Sequence, residues 1–257
     1  MTINTCSVSD CSATDCGGAI RLAAASAIIN SCSFTGSDAG TGGGAALSQA
    51  TGSLPSFTDC IFSGNSATTT GGGVHCLDFV NPTFSNCLVA DNTTTGTGAG
   101  LVFYNNCNST LTNITITGNN NTVSNAGGLY VYECTLDLTN CIIYSNSATG
   151  LGDNIVVAGA TTTIANLDYC CYSNAAGSLS GGGTFNSTNS ITLDPLFVTG
   201  PDGNYYLEHL AAGDSNDSPC INAGSATAES LGLDSYTTRK DEAADTGTAD
   251  IGFHYKP

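Results

Sequence analysis

Cysteine recurs along this chain at a spacing that few folds can accommodate. Cys6, Cys32, Cys60, Cys87 and Cys141 follow one another at 26, 28, 27 and 54 residues. The last gap is two periods with Ile114 at the skipped place, and Leu167 extends the series by 26. Apolar residues keep step. Three positions before the column stand Ile29, Phe57, Phe84, Leu111, Leu138 and Ile164, and two after it stand Val8, Phe34, Phe62, Val89, Ile116 and Ile143. A fixed period of this length marks a solenoid, in which one repeat cannot bury its own apolar face and stacking supplies the core.

Two asparagine columns share the period. Asp59, Asn86, Asn113, Asn140 and Asn166 directly precede the column, while Asn65, Asn92, Asn119 and Asn146 lie five residues after it. A glycine-rich step and a second apolar strand complete each unit, as in Gly71-Gly72-Gly73-Val74-His75-Cys76 and Ala126-Gly127-Gly128-Leu129-Tyr130-Val131. The strands alternate with period two, so Val74/Cys76 and Leu129/Val131 point inward together. A helical solenoid needs the i, i+3, i+4 pattern instead. Asparagine at a tight turn tolerates left-handed backbone, and stacked asparagines hydrogen-bond along the stack. The pattern predicts an all-β fold: a right-handed parallel β-helix of about six to seven coils of roughly 27 residues, each with three short strands. The coils are expected over residues 1–197, and 198–257 form a different, acidic closing segment packed on them.

Composition narrows the partners. The chain carries −17 net charge with only four basic residues, Arg21, Arg239, Lys240 and Lys256. It lacks the basic footprint of a nucleic-acid binder and is repelled by anionic membrane surfaces. No apolar run is long enough to insert in a membrane. Thirteen cysteines tilt the expectation toward an oxidising compartment, secreted or at the cell surface. No signal peptide is visible, so a mature form or a fragment is expected. Eleven of the 21 acids fall between Asp194 and Asp250, which sets that stretch apart.

Two sets of residues carry a family resemblance. Gly17-Gly18-Ala19-Ile20 and Phe62-Ser63-Gly64-Asn65 resemble the GGAI and FxxN motifs of chlamydial polymorphic membrane proteins. More widely, residues 2–197 resemble bacterial right-handed parallel β-helix repeat proteins of the pectate-lyase-like superfamily. Ser37 replaces the asparagine in one coil, and Gly152-Asp153-Asn154 replaces the glycine triplet in the last. Asp194-Pro195-Leu196-Phe197, Ser218-Pro219-Cys220-Ile221-Asn222-Ala223-Gly224 and Asp250-Ile251-Gly252-Phe253-His254-Tyr255 resemble a closing segment of secreted bacterial β-helix proteins. The resemblance implies the fold and a secreted or surface location. It implies no single activity, although many such proteins cleave acidic glycans.

Candidate chemistry is sparse. Within the coils Arg21 is the one basic side chain, and His75 lies on the same outward stripe about 10 Å away, too far for a tight pair. No outward column repeats acids as a pair of catalytic carboxylates requires. Asp241, Glu242, Asp245 and Asp250 could compose an oxygen-rich calcium site, but a solvated acidic surface is the favoured reading, and no metal or cofactor is assigned. Sequons at Asn92, Asn108, Asn113, Asn120 and Asn186 arise readily in so Thr- and Asn-rich a chain. Cys6, Cys32, Cys60, Cys87, Ile114 and Cys141 are read as a ladder of small buried side chains. Cys107 and Cys134, 27 residues apart and outside the core columns, are the candidate disulfide.

The outward apolar residues point to partners. Ile61, Leu88, Ile142 and Tyr144 form one stripe, and Val102, Tyr130 and Val156 another. Soluble chains seldom leave such stripes bare, so the closing segment or a partner should cover them. Residues 1–22 enter the repeat mid-motif, and a β-helix end is an open sheet edge. A preceding domain or coil, or another copy joined end-to-end or laterally, is expected there. The leading expectation is a non-catalytic extracellular or cell-surface module for adhesion, surface display or fibre-like self-assembly. The alternative is a carbohydrate-active β-helix, either a glycan binder or a polysaccharide lyase.

Overall fold

The computed structural model describes residues 1–48, 54–177 and 179–257. Among these the coils build four parallel sheets of 8, 7, 5 and 7 strands. One coil runs through Ser56–Thr58, Ile61–Ser63, Ser66–Thr70 and Val74–Leu77. The next runs through Thr83–Ser85, Leu88–Ala90, Thr93–Thr94 and Leu101–Tyr104. Each strand pairs in register with its counterpart one coil away, Phe57 with Phe84, Phe62 with Val89 and Cys76 with Phe103. The expected three strands per coil are therefore four. The extra sheet is short and mostly polar, so it leaves no apolar alternation in the sequence.

Strict repetition places like above like. Phe34 stacks on Phe62 and Phe57 on Phe84, both at 5.0 Å between ring centroids. Cys32, Cys60, Cys87, Ile114 and Cys141 are buried in one continuous core, while Cys6, on the first coil, is exposed because no coil lies beneath it. The turn before the column is left-handed at Asp59, Asn86, Asn113 and Asn140, with φ of 54°, 47°, 54° and 55°. A glycine is required at Gly73, where a Cβ would lie 2.7 Å from the carbonyl oxygen of Gly100.

The second asparagine column forms an internal ladder. Asn92 Oδ1 accepts from the backbone N–H and the side-chain amide of Asn65, at 2.9 and 3.0 Å, and Asn92 Nδ2 donates to Phe62 O at 3.0 Å. Asn119 and Asn146 repeat the arrangement one and two rungs on. The ladder continues to Asn154, whose Oδ1 accepts from Asn146 Nδ2 at 2.9 Å. The altered Gly152-Asp153-Asn154 step thus supplies the next rung.

Two expectations are corrected. The coil after Cys141 is 29 residues long, so Cys170, not Leu167, continues the cysteine column, and Ile142 pairs with Cys171. Leu167 pairs with Leu138, and Tyr169 takes the left-handed turn position with φ 50°. Asn166 consequently leaves the turn column and joins an exposed ladder, donating to Asp137 at 2.8 Å and accepting from Asn186 at 2.8 Å. Cys107 and Cys134 are not bonded: all 13 cysteines are free thiols, and this pair is buried within the core rather than outside it. Cys134 Sγ instead accepts from the Cys107 backbone N–H at 3.2 Å. Side chains one rung apart run parallel at the strand spacing of about 4.8 Å, whereas a disulfide wants Cβ atoms about 3.8 Å apart and facing.

Beyond the last coil the chain forms a hairpin, Phe197–Gly200 with Gly203–Leu207, a single 3₁₀ turn at Leu210–Ala212 and a one-turn helix, Ala228–Leu231. The helix is capped by Thr227, whose side chain accepts from Ser230 N, and ends at left-handed Gly232. The rest is irregular.

Candidate functional site

The closing segment lies along the second sheet and occupies most of the first apolar stripe. Leu88 is buried with Tyr206, Phe253 and Tyr255, with Ile61 packed beside them. Ile142 is buried with Leu207, Cys220 and Ile251, with Tyr144 alongside. Leu88 and Ile142 thus face the chain's own tail, while Ile61 and Tyr144 stay partly exposed beside it. The turn column doubles as a row of hooks. Asn86 accepts from His254 N at 2.7 Å and donates to His254 O at 3.0 Å. Asn140 accepts from Ser225 N at 2.8 Å through Oδ1 and from Gly252 N at 2.9 Å through its carbonyl. Asp59 accepts from the Tyr236 hydroxyl at 2.8 Å, and Thr115 Oγ1 accepts from Phe253 N at 2.9 Å. Asn113, the rung between, makes no such bond, and its Oδ1 has no partner among the described residues.

The tail is itself held by buried charge. Asp245 Oδ2 accepts from Asp250 N and faces His254 Nε2, both at 2.9 Å, and His254 Nδ1 lies 3.0 Å from Gly252 O. Asp250 takes the Thr238 hydroxyl on one oxygen and Asn222 N, at 2.7 Å, on the other. His209 Nε2 stands 3.2 Å from Thr238 Oγ1 and 3.6 Å from Asp250. Burial pushes the Asp250 carboxyl up, but the hydrogen bonds from His209, Thr238 and Asn222 outweigh it and hold the group below its ordinary range. Three of the acids weighed as a calcium site and read as a solvated surface enter separate partnerships instead. Asp241 pairs with Arg239, while Asp245 and Asp250 belong to the buried histidine network rather than to a solvated surface. Among the described residues no group of three or more His, Cys, Asp or Glu is placed to hold a metal ion. Sequence reasoning missed this network, because its members span residues 209–254 without a period.

Among the described residues the fourth sheet has no such cover. Its outward column runs Arg21, Ala46, His75, Val102, Tyr130, Val156. Val102 and Val156 are buried by their own coils. Each folds back over a turn glycine, so that a Cβ on Gly98 or Gly152 would lie 2.2 Å from the valine methyl. His75 tucks against Gly71 in the same way and is 6% exposed. Beside it lies a groove of about 340 Å³ lined by Thr69, Thr70, His75, Leu77, Thr97, Tyr104 and Tyr130. Tyr104 stacks on Tyr132 at 4.5 Å, with the rings 14° apart.

Burial lowers the His75 pKa from 6.5 to about 4, against a weaker upward pull from Asp78. Well above pH 6.5 the ring is neutral folded or unfolded and contributes no pH dependence. Between pH 6.5 and about 4 the unfolded chain takes up a proton that the folded chain refuses, so stability falls on acidification. The full shift corresponds to about 3 kcal/mol. His75→Phe is expected to remove this slope, as measured by denaturant unfolding at stepped pH. An unchanged slope would refute the assignment.

Compared with known proteins, the chain matches a family model described as "Right handed beta helix region" over residues 1–194. No curated protein and no solved structure matches it.

Proposed function

This chain belongs to the right-handed β-helix family, and from that premise we propose that it is a non-catalytic, secreted or cell-surface module for adhesion, surface display or fibre-like assembly. The observation that carries the reading is the use made of its polar side chains. The asparagines of both columns, Asn113 apart, hold coil to coil or coil to tail, and the buried acids and histidines of the tail hold one another. What remains is a filled rod, stiffened along one side by its own tail, with the other faces outward. A rod of this kind presents a surface.

Two measurements test the reading. Beads coated with the intact chain are expected to be retained on cell-surface preparations, or on one another, more than beads carrying the heat-unfolded chain. Incubation with acidic and neutral polysaccharides is expected to release neither reducing ends nor unsaturated products. Equal retention of the two bead types, or glycan turnover, would sink it.

A further inference from the structure

We propose that Cys171 and Cys220 form a disulfide in an oxidising medium, a staple that fixes the closing segment to the last coils. The proposal rests on how that segment packs and is independent of what the outer faces hold.

The two residues meet from opposite sides of one interface. Cys170 is buried in the core of the coils, and alternation along the strand turns Cys171 outward, in register with outward Ile142. Cys220 comes from the closing segment, in a turn over residues 219–222. Both side chains are fully buried and share one cluster with Ile142, Leu207 and Ile251. The neighbouring Cys171 thiol and burial together push the Cys220 thiol well up from its ordinary pKa. In the structure both are free thiols.

This approach sets the pair apart from the other cysteines. Cys60 and Cys87, Cys107 and Cys134, and Cys141 and Cys170 stand on neighbouring coils, with side chains parallel and held at the strand spacing. A disulfide needs Cβ atoms that face each other. Cys171 and Cys220 face across an interface, and a turn can shift where a rung of a sheet is fixed. Closing the bond gives up one hydrogen bond, from Cys171 Sγ to Leu193 O at 3.2 Å. The Cys220 backbone keeps its own anchors, its N–H on Ser218 Oγ at 3.2 Å and its carbonyl accepting from Ile251 N at 2.9 Å. The two cysteines are 49 positions apart, so the bond closes a long loop that includes the hairpin. A bond across a long loop constrains the open chain strongly.

The oxidant is a small-molecule or protein disulfide. The thiolate of one cysteine attacks a sulfur of the oxidant, which forms a mixed disulfide and releases one thiol. The second cysteine attacks the first at its sulfur and releases the other thiol. The pair gives up two electrons and two protons, and the oxidant ends as two thiols. Because both sulfurs are buried, the exchange takes place while the segment is off the coils, as it is before folding is complete.

The test refolds the intact, denatured chain in a mixture of oxidised and reduced glutathione, blocks remaining thiols by alkylation and maps the peptides by mass spectrometry. Exposed Cys6 is the internal control, since glutathione on it shows that the oxidant acted. Peptides carrying Cys171 and Cys220 are expected to be joined, with fragment ions separating Cys171 from Cys170. Hydrogen exchange at residues 218–224 is expected to be about tenfold slower or more than in the chain refolded with reductant alone. Cys220→Ser should show no difference between the two conditions. A refolded, β-rich chain with Cys6 modified and no Cys171–Cys220 link would overturn the proposal. So would a link that leaves exchange at residues 218–224 unchanged.

Discussion

Asn92→Ala is expected to be among the most destabilising single substitutions in the coils, costing about 4 kcal/mol or more. The side chain sits in the middle of the internal ladder and is fully buried. Its removal leaves the Asn65 backbone N–H and one Asn65 amide hydrogen without an acceptor, and Phe62 O without its donor. Each such orphaned group costs roughly 1–3 kcal/mol, and a small cavity adds to the total. Asn92→Asp should rescue little, because a carboxylate accepts but cannot donate to Phe62 O, and it brings a charge into the core. Asn120→Ala, on an exposed rung, is expected to change stability by less than about 0.5 kcal/mol. Denaturant unfolding read by two probes, one for the coils near Asn92 and one for the tail, measures both effects, since coils of a solenoid can uncouple. A loss below about 1 kcal/mol for Asn92→Ala would show that the ladder does not hold the coils.

The second large effect is expected in the tail. Asp245→Ala takes the acceptor from both the Asp250 N–H and the His254 ring at a largely buried place, at a cost of about 3 kcal/mol. The loss should be local. The His254 backbone is the group that Asn86 grips, so the closing segment is expected to lift from the second sheet while the coils stay folded. Hydrogen exchange would show early opening at residues 245–255 and slow exchange in the strands. An apolar dye would report Leu88 and Ile142, now uncovered. Uniform loss of protection along the chain would instead mean that tail and coils unfold as one unit.

The rod was legible because its cause is periodic. A column such as Phe57, Phe84 and Leu111 is selected by one repeated environment and so repeats in sequence. Legibility failed where the period slipped. The coil after Cys141 carries extra residues near its last turn, and a series that counts by 26 lands on Leu167. The doublet Cys170-Cys171, followed by Tyr172 as Cys141-Ile142 is by Ile143, was the available signal. The burial of His75 was out of reach for another reason. Alternation marks it as outward, but its cover is the Gly71 turn of its own coil, which no pattern of facing residues encodes. The tail network is harder still, since His209, Thr238, Asp245, Asp250 and His254 meet through irregular backbone. Their acidity was visible, and their burial was not.

The grip of Asn86 on His254 joins residues 168 positions apart. On a ribosome adding 5–20 residues each second, that separation is about 10–30 s of synthesis. The coils can stack as they emerge, since each needs only its neighbour. The outer faces of Leu88 and Ile142 wait for Tyr206, Leu207 and Cys220, and then for Ile251, Phe253 and Tyr255, before their cover is complete. For that interval the growing chain exposes a greasy flank it will not have when finished. Over that interval the uncovered flank is the part of the nascent rod most open to aggregation.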